Sequence, residues 1–435
     1  MQVSVESTSE LGRKMTVHVP EEKIQVEVAS RLKNLAGKVK IDGFRPGKVP
    51  ASVIQKRYGQ GVREEVLADL VQSTFYEAVR AEKLNPAGGP TITPQSAENS
   101  EGFSYVADFE VVPEIQLTPV DSLSVNRFVS EVTDEDLDNM VEKLRDQRKT
   151  WRQCDGRPAA MGDRLLISFE GTCDGENFTN GRVEDFGVVL GSNQLIPGFE
   201  EKLVGVTAGS DCQFSIDFPS DYGNINLAGK SAEFSVSVAK IEEPVLPAID
   251  KEFVNSFGIE SGSADDFRAD IKANMEREMT RALQAKTKTS VMDELYSRHA
   301  DMLIPGVLVQ QEISELIKPY VESAKKAKQP IDQASLSERL TPVAKRRVAL
   351  AMILGRLIDS ERIKVDSKRV RAAIDDLSLS YEDPSQVVNW YYSNKEQLSQ
   401  VENMVLEDQV VDAVLAKAQV SEESVLFKDL MQPQQ

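Results

Sequence analysis

The sequence predicts a multidomain α+β protein: an α+β domain at the N-terminus, a β-rich domain inserted after it, and an elongated all-α domain at the C-terminus. Three observations carry that prediction. A chain of 435 residues is long enough for roughly three domains on a prior of ~150 residues each. Hydrophobic residues make up 40% of it, sufficient for real cores. The apolar period also changes along the chain, from mixed, to strict alternation, to helical spacing.

In order, Val3-Ser4-Val5-Glu6 and Met15-Thr16-Val17-His18-Val19 alternate apolar and polar around Leu11-Gly12-Arg13, which reads as a hairpin. Pro20 opens a helix whose Ile24, Val28, Leu32, Leu35 and Val39 form one stripe, and the helix stops before Gly43. A second helix is expected over 61–82, ended by Asn85-Pro86-Ala87-Gly88-Gly89-Pro90. A strand over Phe103 to Val111 closes the first domain, residues 1–112.

Pro113 through Pro119 reads as a linker, and Thr133-Asp134-Glu135-Asp136 caps a helix striped by Leu137, Met140, Val141 and Leu144. Residues 113–149 are therefore a linker and a helix joining the helical domain. From Gly162 to Glu243 the period becomes two: 164–170, 212–218 and 232–238 read as strands between Gly/Asp/Asn turns, with a short helix over Pro197 to Leu203. This β-rich domain spans 150–245. Residues 246–435 read as helical, with amphipathic stretches near 263–299, 305–328, 335–360, 366–380 and 395–418. Breaks are expected at Pro305, Pro330, the Thr341-Pro342 step and Pro384. Leu336, Leu340, Val343, Leu350, Ile353, Leu354, Leu357 and Ile358 keep helical spacing without a sustained heptad, so a bundle is expected rather than a coiled coil.

Charge and composition narrow the function. The net charge is −19, yet Arg31 to Arg63 holds nine cations against the single acid Asp42, a local balance of +8. Such a basic island is either a docking surface for a phosphate-rich partner or a solvated helix face. Within it, Gly43, Pro46, Gly47 and Pro50 stiffen a turn that carries Phe44, Arg45 and Lys48. Cys154, Cys173 and Cys212 have no C-x-x-C spacing and read as reduced thiols. With two histidines, His18 and His299, histidine-rich metal sites are excluded by count. No cofactor or metal is expected. The N-terminus lacks the basic and apolar regions of a leader, and Val348 to Leu354 is too short to cross a bilayer, so a cytoplasmic protein without a membrane partner is expected.

Gly229-Lys230-Ser231 imitates the end of a phosphate loop, but Gly223 lies one residue too far away and the flanks are strand-like. No acid/base pair stands out among the carboxylates. The middle domain does concentrate Phe169, Phe178, Phe186, Leu195-Ile196-Pro197-Gly198-Phe199, Tyr222 and Phe234 in strands and turns. These residues form either a small core or a shallow apolar pocket. An apolar pocket catalyses one reaction without a nucleophile: rotation about an X-Pro bond, whose barrier of about 18–20 kcal/mol arises from amide resonance.

The segment Gly43-Phe44-Arg45-Pro46-Gly47-Lys48-Val49-Pro50 closely resembles the ribosome-docking signature of the trigger factor family, and Leu195-Ile196-Pro197-Gly198-Phe199 is similar to the prolyl isomerases of the FK506-binding class. The resemblance covers the whole chain. It implies an ATP-independent chaperone that docks at the ribosomal tunnel exit through Gly43, Phe44, Arg45, Gly47 and Lys48, on a ribosomal protein and adjoining RNA. It further implies that nascent and unfolded polypeptides are held by the helical part, with a homodimer off the ribosome. Phe169, Phe178, Phe186, Leu195, Ile196, Phe199, Tyr222 and Phe234 would line the proline pocket. Two positions depart from the commoner isomerase pattern: Thr179 stands where many relatives have an acid, and Phe199 where they often have tryptophan. A dedicated isomerase with a helical delivery module and an RNA-docking scaffold are the competing readings.

Overall fold

The computed structural model describes residues 2–39, 50–95, 102–154, 156–179, 181–224, 227–328, 330–379, 381 and 383–432. Gly43, Phe44, Arg45, Gly47 and Lys48 lie outside the described residues. Along the chain run β1 (Gln2–Ser7), β2 (Gly12–Pro20), α1 (Glu21–Lys38), α2 (Ala51–Ala81), β3 (Thr91–Gln95), β4 (Gly102–Glu110), β5 (Ser124–Val129) and α3 (Asp134–Gln147). Then come β6 (Thr150–Gln153), β7 (Arg164–Cys173), β8 (Glu176–Asn177), β9 (Val183–Val189), α4 (Phe199–Lys202), β10 (Asp211–Asp217) and β11 (Ser231–Val245). The remainder is α5 (Lys251–Asn255), α6 (Ala264–Ser297), α7 (Gly306–Ala327), α8 (Gln333–Glu361), α9 (Ser367–Ser378), α10 (Pro384–Ser393), α11 (Lys395–Leu415), β12 (Gln419–Ser424) and α12 (Phe427–Leu430). The architecture is α+β at the N-terminus, β-rich in the middle and helical towards the C-terminus.

The chain divides into two compact units, 1–128 with 285–423, and 129–284 with 424–435. In the first, β1-β2-β4-β3 form an antiparallel sheet, and its alternation puts Met15, Val17, Val19, Tyr105, Ala107 and Phe109 on one buried face. Helices α1 and α2 cover that face through Ile24, Val66, Leu70, Phe75 and Ala78. Helix α2 starts ten residues earlier than the expected 61–82, and so runs through two glycines. Gly59 and Gly61 each cost about 1 kcal/mol inside a helix. That cost is offset by burial of Ile54 against Leu32, Leu35 and Val39. Strand β3, absent from the sequence reading, is an edge strand, the place where Pro94 can sit without breaking a ladder.

Among the described residues, the helical part of this unit has three small cores rather than one. Leu123 and Val125 pack with Val291, Leu295, Ile353, Leu357 and Val410. Val309 and Ile313 of α7 pack with Ala344 and Val348 of α8. Val370, Ile374, Val388, Val401 and Val405 form the third. The expected break at Thr341-Pro342 does not occur: Pro342 lies inside α8, where the Thr341 hydroxyl donates to the Ser337 carbonyl at 2.8 Å and supplies a bond in the turn that the proline weakens. Pro384 opens α10 instead of merely ending a helix, because Asp383 caps it and a proline is suited to the first turn. The β5–β12 pair joins segments far apart in sequence and was not foreseen.

In the second unit, β10-β11-β7-β8 form the path of a six-stranded sheet, with β6 pairing β11 and β9 pairing β7. Beside it, Leu137 and Val141 of α3 pack with Phe253, Phe267, Ile271, Met275 and Phe427. Thr133 caps α3 through the expected capping box with Asp136.

Candidate functional site

Alternation on β7 and β11 sends Leu165, Ile167, Val236 and Val238 into the core, while the ends of these strands and the adjoining turns carry aromatics. Phe234 of β11 lies opposite Phe214 of β10 on one side and Gly171 of β7 on the other. Gly171 is required there. A Cβ at that position would come within 2.4 Å of the Phe178 ring, which lies across the strand.

The rings form a connected series of mostly edge-to-face contacts. Phe186 meets Phe169 at 5.8 Å, Phe169 meets Phe199 at 5.9 Å, and Phe199 meets Phe234 at 5.1 Å. Phe234 meets Phe178 at 5.7 Å, Phe178 meets Phe218 at 5.6 Å, and Phe218 meets Tyr222 at 4.7 Å. These separations and angles suit the ring quadrupole. Phe199 and Phe234 are buried, and Phe169, Phe178, Phe186, Leu195 and Ile196 are half-buried around them. Tyr222 is 40% exposed at the edge. The structure therefore gathers seven of the eight residues in one cluster and attaches the eighth, Tyr222, through Phe218.

Phe214 and Phe218 complete the cluster, although the sequence pattern marks them only as strand residues. Their signal was the shared face they form with Ile216, two residues from each. Two buried carboxylates were also missed. Asp163 accepts from Arg157 at 2.6 and 2.8 Å and from the Ala160 amide at 2.8 Å, and this guanidinium holds its carboxyl below the usual range against the opposing effect of burial. For Glu200, burial pushes the carboxyl up, but amide donors from the 191–195 turn outweigh it and hold it down. Thr179 makes a local knot, its amide and hydroxyl both donating to Asn177 Oδ1 at 2.9 Å.

Gly229-Lys230-Ser231 is no phosphate loop: Ser231 begins strand β11 and Lys230 pairs with Asp174 at 2.9 Å. No group of His, Cys, Asp and Glu among the described residues could hold a metal. On the basic island, Arg63 makes a bidentate pair with Glu21 at 2.6 and 2.7 Å, and Arg31 pairs with Asp69. Both acids lie outside the 31–63 window, so the local field is weaker than the count alone implies. Lys33, Lys56 and Arg57 are exposed. In the helical part, Tyr320, Val343, Leu379, Trp390, Tyr392 and Met404 face solvent. No helix among the described residues is long and apolar enough to cross a membrane.

Residues 1–144 match the family described as bacterial trigger factor protein, residues 263–416 its C-terminus, and residues 155–239 the FKBP-type peptidyl-prolyl cis-trans isomerases. The chain is 45% identical to the trigger factor of Stutzerimonas stutzeri (strain A1501) over 433 residues, covering 100% of this chain and 98% of the relative. It is equally similar to those of Ectopseudomonas mendocina (strain ymp) and Pseudomonas syringae pv. syringae (strain B728a), with the same coverage. A solved structure described as "Promiscuous Substrate Recognition in Folding and Assembly Activities of the Trigger Factor Chaperone" shares the fold, with a TM-score of 0.50 and 16% identity over 96% of this chain and 100% of that one.

Proposed function

Because the chain belongs to the trigger factor family and is a chaperone with an FKBP-type peptidyl-prolyl isomerase domain, we propose how its residues divide that work. Residues 150–245 isomerise X-Pro bonds, residues 113–149 and 246–435 hold unfolded chains, and residues 1–112 dock on the ribosome. The observation that supports the first assignment is the connected aromatic cluster, buried at Phe199 and Phe234 and open at its rim.

An apolar site accelerates rotation because the planar amide is the more polar, better hydrated form. Moving the X-Pro bond out of water and against Phe169, Phe178, Phe186, Leu195, Ile196, Phe199, Tyr222 and Phe234 favours the twisted state over the planar one. About 4 kcal/mol of such differential binding gives roughly a thousandfold. No acid, base or nucleotide is needed. Holding is supported by the three small helical cores and the exposed apolar residues along them, which offer adaptable contacts to clients of many sequences.

Docking rests on Gly43, Phe44, Arg45, Gly47 and Lys48, with Lys33, Lys56 and Arg57 meeting ribosomal RNA phosphates beside a ribosomal protein. A cytoplasmic, partly ribosome-associated protein that forms a homodimer off the ribosome fits this reading. Co-sedimentation with ribosomes tests it: Phe44→Ala, Arg45→Ala and Lys48→Ala together abolish binding in a folded protein, and wild-type binding falls steeply with salt. Undiminished binding by the triple variant overturns it.

A further inference from the structure

Glu200 is a buried acid without a cationic partner in its hydrogen-bond set. Its Oε2 accepts from the amides of Gly191 at 2.7 Å and Asn193 at 3.1 Å. Its Oε1 accepts from the amides of Gln194 at 2.9 Å and Leu195 at 3.4 Å and from the Ser192 hydroxyl at 3.2 Å. Five donors from five consecutive residues converge on one carboxylate. The turn they define is a costly one: Gly191 has φ +91° and Asn193 φ +54°, conformations that need support.

The two neighbouring residues of α4 therefore face opposite tasks. Phe199 enters the aromatic cluster, while Glu200 reaches back into the turn that delivers Leu195 and Ile196 to the same cluster. An ionised carboxylate satisfied by amide dipoles is a rigid, short-range clamp.

We propose that Glu200 is a positioning residue for the isomerase: by clamping the 191–195 turn it fixes the Leu195–Ile196 wall, and the rigidity of that wall sets how sharply the pocket discriminates among X-Pro substrates. The proposal rests on the reading of the aromatic cluster as the proline pocket. A soft wall adapts to planar and twisted peptides of any flanking residue alike, so it loses differential binding and selectivity together.

The experiment compares kcat/KM for proline peptides differing only in the residue before proline, using the full chain. The ratio between the best and worst peptide does not depend on how much enzyme is folded, so simple destabilisation leaves it unmoved. Glu200→Gln keeps the shape but turns an amide –NH2 towards donors that need an acceptor. It is expected to compress that ratio at least about fivefold and to shift the amide proton resonances of Gly191, Asn193 and Gln194. Ser192→Ala removes one donor and moves the ratio the same way by about twofold. Exposed Glu201→Gln leaves both readouts unchanged. If Glu200→Gln does not fold, Ser192→Ala decides. An unchanged ratio alongside shifted amides overturns the proposal, as does a changed ratio with unshifted amides. Should Tyr222→Ala also leave isomerisation intact, the pocket reading itself fails, and the two failures are thereby told apart.

Discussion

The β-rich middle and the helical remainder use similar side chains for opposite ends. In the middle, eight aromatics from Phe169 to Phe234 touch ring to ring, and only Tyr222 at the edge is strongly exposed. Around α9 and α10, Trp390, Tyr381 and Tyr392 stand in solvent over a small aliphatic core of Val370, Ile374, Val388, Val401 and Val405. A sheet holds rings in fixed register and can build a shaped site. Helices with several thin cores leave apolar groups outside, where they give broad but weak contacts.

The contrast breaks most visibly at Phe199. Replacing it with alanine removes the ring that links Phe169, Phe214 and Phe234. The expected cost is about 3–5 kcal/mol of stability in the β-rich region and a loss of isomerisation of at least a hundredfold. Calorimetry and a proline-peptide assay read the two effects.

Next in size, Asp163→Asn leaves the corner around Arg157 without its bidentate acceptor and costs about 2–3 kcal/mol. Its pH signature has a definite sign. Asp163 and Glu200 both have carboxyls lowered by folding, so the stability they contribute is full above the ordinary unfolded value near 4 and is lost as pH falls through the lower folded values. The acid-side fall in the melting temperature of the β-rich region is thus expected to carry the contribution of these two carboxylates, and Asp163→Asn to flatten that fall. A wild-type decline beginning near neutral pH contradicts this.

The smallest effect sharpens the other half of the comparison. Leu379, Trp390 and Tyr392 are exposed, so changing all three to serine alters stability by no more than about 0.5 kcal/mol each. Suppression of client aggregation is expected to weaken about twofold while isomerisation stays constant, as paired light-scattering and peptide assays would show.

Much of this was legible because it is local. Thr133 and Asp136 announce their helix, Ile24 to Leu35 announce theirs, and the alternation over 164–170 announces β7. Elements that depend on distant partners were not. Strands β5 and β12 stabilise each other across most of the chain, and α2 runs through Gly59 and Gly61 because Ile54 finds a partner in α1. Pro342 misled for the same reason, since packing of Ala344 and Val348 against α7 carries α8 past it. At the site, the aromatic set could be read from residue type and spacing, but Asp163 and Glu200 are two among 70 acids. Only the fold distinguishes an acid facing water from one facing five donors.

Whether isomerisation and holding reside in separate regions is read from Tyr222→Ala, because the residue is at the rim and its loss leaves the core intact. On one preparation, isomerisation of a proline peptide and ATP-free suppression of aggregation of an unfolded client are measured together. The expected result is an approximately tenfold fall in kcat/KM, equivalent to about 1.4 kcal/mol, with suppression unchanged. Suppression falling in step with isomerisation would place both activities in the aromatic cluster and overturn their separation.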